Sequence, residues 1–322
     1  MTVRALYRAV ALPGAEPPSD RVTLKLPYPA RLSDSPEERN TGLVMPDPDA
    51  LPCPVVLLLP GINVGPEAYG WLAIQLAEAG VVTVCLQLIA EEMPGMIGLT
   101  PGLRLDRLSA GGYGDGPSST TIGPVLEALA QWNDAPGVLQ GLLDLDHVIL
   151  GGHSAGGTLA LLNANSEWFP GVCGAFSYGA HTAAAEALGH PPSTYLEAWD
   201  CPVLLAGGDV DEVITASGGR YGDADVNATD RLETTFERSL PASGSHLVVL
   251  RGANHFTFAH PVDGTTGRAF LDGEETMDGT DTRRFLGTLI ARFIDECMTG
   301  DASAPPWNDV AGDTRVSRYR AR

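Results

Sequence analysis

Gly151-Gly152-His153-Ser154-Ala155-Gly156-Gly157 decides the fold of this chain. The stretch contains Gly-x-Ser-x-Gly, with small residues on both sides of the serine. Upstream, Asp146-His147-Val148-Ile149-Leu150 is a short apolar run that predicts a buried strand. Downstream, Thr158-Leu159-Ala160-Leu161-Leu162 predicts the start of a helix. A strand that turns into a helix over so few residues leaves no room for bulky side chains. It holds the serine in a strained backbone conformation, with its hydroxyl exposed at the strand's C-terminal edge. In a chain with 38 glycines the pentapeptide spacing alone carries little. The strand before it and the helix after it make it a nucleophile elbow, with Ser154 as candidate nucleophile and His153 packed beside the pocket.

Apolar runs alternate with helical patterns on both sides of this elbow. Residues 55–59 form a continuous apolar run, predicting a central strand buried on both faces. Helices are predicted over 68–79 (ending at Gly80), 122–132, 158–163 and 282–298; further strands over 81–87, 147–150, 172–178, 202–207 and 246–251. Residues 21–26 and 40–44 read as an N-terminal antiparallel pair. The alternation predicts an α/β class: a mostly parallel, doubly wound sheet with helices on both faces and active-site loops at the strands' C-terminal ends. Residues 1–322 read as a single domain with its core over about 20–299, an insertion at 89–121 and a loosely held tail at 300–322.

Composition narrows the function classes. Apolar residues make up 44% and charged residues 19%, as in ordinary globular proteins. The formal net charge of −20 argues against nucleic acid and anionic membranes as partners. No apolar run reaches membrane-span length, and the N-terminus lacks a sustained hydrophobic region, so a cytoplasmic protein is expected. The five cysteines (Cys53, Cys85, Cys173, Cys201 and Cys297) have no metal-ligand spacing and read as small buried apolar groups. No metal and no cofactor is expected. Asp223, Asp225, Asp272, Glu274, Glu275 and Asp278 gather in loops without a calcium-binding spacing.

A serine hydroxyl is a poor nucleophile at neutral pH; it needs a general base and an acid that orients the base. With the elbow first in the chain, both must follow it on loops after strands. Gly207-Gly208-Asp209-Val210-Asp211-Glu212-Val213 closes one strand, and Asp211 is the candidate acid, with Asp209 and Glu212 as rivals. Gly252-Ala253-Asn254-His255-Phe256 follows another strand, and His255 is the candidate base, with His260 as runner-up. His147, His190 and His246 read as structural. The developing oxyanion needs two backbone N–H donors. Ala155, directly after the nucleophile, and Ile62, in Leu59-Pro60-Gly61-Ile62-Asn63 after the first central strand, are the candidates.

These motifs resemble the α/β-hydrolase superfamily, and within it the dienelactone-hydrolase-like group that includes chlorophyllases, platelet-activating-factor acetylhydrolases and cutinases. The likeness is carried by Leu59-Pro60-Gly61-Ile62, Tyr69-Gly70-Trp71-Leu72-Ala73, the elbow, and the acid and histidine loops. It spans residues 55–298. The nucleophile here is serine, whereas true dienelactone hydrolases use cysteine. The resemblance implies ester hydrolysis through an acyl-enzyme.

Three insertions border the expected pocket, at 89–121, 217–230 and 261–281. Met93 and Met96 sit in the first without helical spacing and read either as a flexible apolar lid or as ordinary core. His181 follows a strand and is a candidate pocket residue. The only arginine beside the candidate triad in sequence is Arg251, which predicts a hydrophobic, uncharged ester as the small-molecule substrate. An amidase or acyltransferase on the same residues, or a non-catalytic ligand-binding protein of the same fold, are the competing readings.

Overall fold

Val55, Leu57 and Leu59 point into one buried cluster and Val56 and Leu58 into another, so the apolar run at 55–59 is a strand covered on both faces. The computed structural model describes residues 2–322 except Pro94, Asp200, Asp223 and residues 301–306; the side chains of Glu92 and Met93 also lie outside the described part. The strands are β1 (Thr2–Ala11), β2 (Arg21–Ala30), β3 (Cys53–Leu59), β4 (Val82–Met93), β5 (Met96–Thr100), β6 (Leu143–His153), β7 (Val172–Tyr178), β8 (Val203–Gly208), β9 (His246–Leu250) and β10 (Val316–Ala321). They form one sheet in the order β1-β2-β4-β3-β6-β7-β8-β9-β10, with β5 folded back on β4. From β4 to β9 every neighbouring pair is parallel; β1, β2 and β10 add antiparallel edges.

The principal helices are α1 (Gly70–Glu78), α2 (Ile122–Asp134), α3 (Ala155–Asn163), α4 (Glu212–Ala216), α5 (Ala228–Ser239) and α6 (Gly279–Thr299). Leu72 and Leu76 of α1 pack with Leu286, Ile290 and Phe293 of α6 on one face. Val125 and Leu129 of α2, Leu159 of α3, and Leu232 and Phe236 of α5 pack on the other. Truncating a leucine at such a position to alanine typically costs about 2–5 kcal/mol. This is the α/β-hydrolase fold, in the α/β class expected from the alternation. Because β3 and β6 are parallel neighbours, the loop after β3 and the elbow after β6 emerge side by side at the same sheet edge.

Two sequence expectations fail at the chain's ends. Residues 40–44 are not a strand; residues 36–41 form a short helix, and β2 pairs instead with β1. β1 buries only Leu6 and Val10, too sparse a pattern to stand out from the arginines around it. From Trp307 onward the C-terminal tail is not loosely held. Its last segment is β10, hydrogen-bonded to β9, and its arginines pair with the acidic body: Arg318 with Glu233, Arg320 with Glu233 and Glu237, Arg315 with Asp281 and Asp313.

The insertion at 89–121 begins as a hairpin, β4 against β5, and ends in a network that buries Ser118, Ser119 and Thr121. All five cysteines are free thiols, buried or half-buried. Among the described residues no helix is long and apolar enough to cross a membrane, and no group of acidic, histidine or cysteine side chains could hold a metal ion.

Candidate active site

Ser154 sits between β6 and α3 with φ 55° and ψ −125°. A non-glycine residue there stores roughly 1–3 kcal/mol of backbone strain, and the surrounding contacts must hold it in place. They do so through its own N–H, which donates to the Tyr178 carbonyl at 2.9 Å, and through glycines that let neighbouring backbones close in. A Cβ on Gly156 would collide with the backbone oxygens of Leu59 and Pro60, so only glycine lets α3 start against the loop after β3. A Cβ on Gly61 would stand 3.3 Å from the Ser154 Cβ and 2.9 Å from the His153 Nδ1, which places the Gly61-Ile62 loop directly over the serine.

Asp211 and His255 meet as expected. The His255 Nδ1 lies 2.8 Å from the Asp211 Oδ2, and both side chains are buried. The other oxygen of Asp211 accepts the Ile214 N–H at 2.8 Å and so caps α4, which fixes the carboxylate's orientation. With Nδ1 donating to the carboxylate, the imidazole's Nε2 is the lone-pair side. His255 is next to the elbow: its ring centroid is 4.8 Å from that of His153, and a Cβ on Gly179, the residue after Tyr178, would be 2.8 Å from its Nδ1. Ser154 Oγ and His255 Nε2 make no hydrogen bond within the protein, nor do the N–H groups of Ile62 and Ala155. All four groups with expected chemical roles are thus unpaired. Catalytic hydrogen bonds of this kind often tighten only with substrate bound.

The rivals are engaged elsewhere. Asp209 accepts the Gly252 N–H and acts as a loop brace. Glu212 is exposed in the first turn of α4. His260 is an exposed residue whose backbone N–H donates to the Ala68 carbonyl. His147 pairs with Asp144, His190 Nε2 donates to the Leu108 carbonyl, and His246 stacks on Trp307. Arg251 donates to the carbonyls of Thr314 and Val316, away from the acid and base.

His153 is fully buried among the rings of Tyr69, Tyr178, Phe256 and Phe258. Burial, with the nearby His255 adding to it, holds its pKa well below the usual histidine value, so it is neutral. Its two nitrogens complete a relay. The Gly61 N–H donates to the Tyr69 hydroxyl at 2.9 Å, the hydroxyl meets His153 Nδ1 at 3.2 Å, and His153 Nε2 lies 3.1 Å from the His255 carbonyl. A neutral imidazole protonated at Nε2 satisfies all three bonds. The relay ties the candidate oxyanion loop to the backbone of the candidate base. Sequence reading placed His153 beside the pocket but missed Tyr69 as its partner; the signal was a lone tyrosine eight residues after Gly61.

His181 is also buried, and burial with Arg231 nearby lowers its pKa to about 3. Its ring meets that of Tyr221 edge-on at 4.7 Å, and its carbonyl accepts from Thr158 of α3. Met96 lies exposed near the tip of the hairpin; the side chain of Met93 falls outside the described residues.

Asn63 was not anticipated as a site element, and the insertion at 261–281 was expected to border the pocket without its contacts being foreseen. Asn63, with φ 58°, exchanges two hydrogen bonds with Leu99 of the hairpin, through its N–H and its Oδ1. Its carbonyl accepts from Thr266. Further along, Asp272 accepts the Phe256 N–H at 3.0 Å, and the Gly273 carbonyl accepts from Asn254. Gly273 also lies against Val210 and Glu212. Residues 266–273 therefore run as a strap from the loop after β3, past the histidine loop, to the acid loop.

Comparison with known proteins supports the fold. A solved ferulic acid esterase from Streptomyces cinnamoneus is similar over 94% of this chain and 92% of its own, with 16% identity and a TM-score of 0.56. No protein family and no curated relative matches the sequence.

Proposed function

We propose that this protein is a serine carboxylic-ester hydrolase that works through an acyl-enzyme. The observation that carries the reading is the conjunction at Ser154: a strained, unpaired serine at the elbow beside a buried His255–Asp211 pair. His255 Nε2 takes the hydroxyl proton as Ser154 attacks the ester carbonyl, and the resulting imidazolium is held by Asp211. The unpaired N–H groups of Ile62 and Ala155 receive the oxyanion, aided by the positive end of α3. His255 then protonates the leaving alcohol. Water repeats the sequence on the acyl-enzyme and frees Ser154.

Exposed apolar side chains at Ile62, Met96, Ile97, Val262 and Phe270 support a hydrophobic body around the scissile ester. Arg268, on the segment after the histidine loop, adds a charge that the sequence reading did not weigh, and Asp211 is among the groups whose fields reach it.

Treating the protein with a sulfonyl fluoride, then mapping peptides, tests the reading. The expected label is on Ser154 alone, with loss of p-nitrophenyl ester turnover. Ser154→Ala is expected to lower kcat/KM by about 10⁴-fold or more with the fold intact. A label elsewhere, or a Ser154→Ala protein that still turns over the ester, removes the assignment. Ligand binding by the wild-type protein without turnover would select the non-catalytic reading, and amide cleavage at rates matching ester cleavage the amidase.

A further inference from the structure

The chain carries 40 acidic and 20 basic side chains, so a basic group can usually find a carboxylate. Arg31, Arg39, Arg104, Arg292 and Arg315 all do. Among the described residues, only the guanidinium groups of Arg220 and Arg268 have no hydrogen bond, ion pair or ring contact. Both arginines belong to insertions that border the site. Arg268 is half-buried on the strap. Its neighbour Gly267 stands where a Cβ would be 3.6 Å from the Phe256 ring and 3.9 Å from the Asn63 carbonyl oxygen. Gly267, the residue before Arg268, therefore sits between the loop that carries Ile62 and the loop that carries His255.

Arg220 is exposed and precedes Tyr221, whose ring packs on His181 next to α3. Arg220, Tyr221 and Asp211 are the polar groups whose fields reach Arg268. Burial first, and the positive charge of Arg220 second, hold the Arg268 pKa below the usual guanidinium value. A half-buried guanidinium near a like charge, with no carboxylate in ion-pair contact, raises the energy of the free protein. An anion placed between them would relieve that cost. His181, packed against Tyr221, is more than nine-tenths buried and its Nδ1 has no hydrogen-bond partner.

We propose that Arg268 and Arg220 form an anion-binding subsite at the mouth of the Ser154–His255 site, taking a carboxylate on the acyl part of an otherwise apolar ester. The inference rests on the ester-hydrolase reading for its substrate, but not for its anion. A singly charged carboxylate fits better than a phosphate dianion, because Asp211, Asp272 and the net charge of −20 oppose a second negative charge nearby. The planar guanidinium offers a carboxylate paired N–H donors. The apolar rim residues Ile62 and Phe270 then cover the methylenes between the two ends of the molecule.

The test compares p-nitrophenyl hexanoate with mono-p-nitrophenyl adipate, and the homologous half-esters from glutarate to suberate, at low salt. Wild-type protein is expected to favour the carboxylate half-ester of optimal length by about tenfold or more in kcat/KM, the scale of hydrogen bonds to a charged group. Arg268→Gln is expected to abolish that preference and Arg220→Gln to reduce it, and about 0.5 M salt should weaken it in the wild type. Arg284→Gln, exposed on α6, serves as the distant control. Absence of any preference across the series, or its full retention in Arg268→Gln, overturns the subsite.

Calorimetric titration with the free dicarboxylates separates the two readings. Saturable binding that Arg268→Gln weakens about tenfold or more supports the subsite even if neither ester is cleaved, in which case only the hydrolase reading falls. Ester cleavage without saturable dicarboxylate binding overturns the subsite and leaves the hydrolase reading standing.

Discussion

The hairpin of β4 and β5 and the strap at 266–273 both flank the candidate site, yet they are built in opposite ways. The hairpin is paired to itself along its length and touches the site loops chiefly through Leu99 and Asn63. The strap has almost no regular structure of its own. Apart from the internal bonds of one short turn, Leu271 to Arg268 and Asp272 to Ala269, its hydrogen bonds go to Asn63 on one side and to Asn254 and Phe256 on the other, and it ends against the acid loop. Backbone polar groups must find partners somewhere. A segment that cannot satisfy them internally has to satisfy them on its neighbours, and here those neighbours carry the candidate chemistry. The strap is thus coupled to all three site loops, while the hairpin braces one.

The largest expected effect tests the acid loop against which the strap ends. Asp211→Asn should lower kcat by about 10³- to 10⁴-fold, because an amide cannot hold the imidazole in the productive tautomer and stabilise its charge. Asp209→Asn should leave most of the activity, since Asp209 bonds the Gly252 N–H and not His255. A dead Asp209→Asn with an active Asp211→Asn would shift the acid to the other position. Next in size, Asp272→Ala removes the strap's grip on Phe256, and kcat is expected to fall roughly tenfold through misplacement of the adjacent His255. A pure stability role predicts instead a lower Tm with kcat unchanged, so both are measured.

Rim substitutions compare the two regions directly. Phe270→Ser on the strap should raise KM for a hydrophobic ester by about fivefold, as expected for losing one apolar contact surface, and Met96→Ser on the hairpin by under about twofold. The reverse order would return selectivity to the hairpin, as its methionines suggest. The smallest expected effect at the working pH concerns stability. His181 and His246 are buried with pKa values pushed down to about 3 and about 4, and burial holds His153 well below its ordinary value. Below the unfolded value near 6.5, the unfolded chain binds protons that the folded chain refuses, so stability falls as pH drops from 6.5 through 5. Each group contributes a slope of up to about 1.4 kcal/mol per pH unit. Urea unfolding at pH 7 and 5 should show that fall, and His181→Gln should flatten it; an unchanged slope would mean that His181 charges freely in the folded state.

How much of this was legible beforehand follows from how each feature is encoded. Ser154, Asp211 and His255 stand on tight loops after buried strands, and their chain order is enough to name them as candidates. Asp209 is only two residues from Asp211, and only the cap on α4 and the 2.8 Å contact separate their tasks. Arg268 gave no signal, because nothing within a dozen residues of it in the chain says that Thr266 will bond Asn63.

What the sequence by itself determined is local: strand runs with two buried faces, the glycine-flanked turn that strains Ser154, and the loops that end β8 and β9. These depend on side-chain periodicity and on steric limits acting over a few residues. The tertiary structure alone decided the pairings between distant segments. β10 reached β9 across 65 intervening residues, as from Leu250 to Val316, with only an arginine-rich alternation to announce it. The strap was placed by bonds of the same distant kind, Thr266 to Asn63 and Phe256 to Asp272. The physical reason is that backbone hydrogen bonds carry no sequence label: any strand or loop can satisfy them, and which one does so is settled by packing of the whole chain.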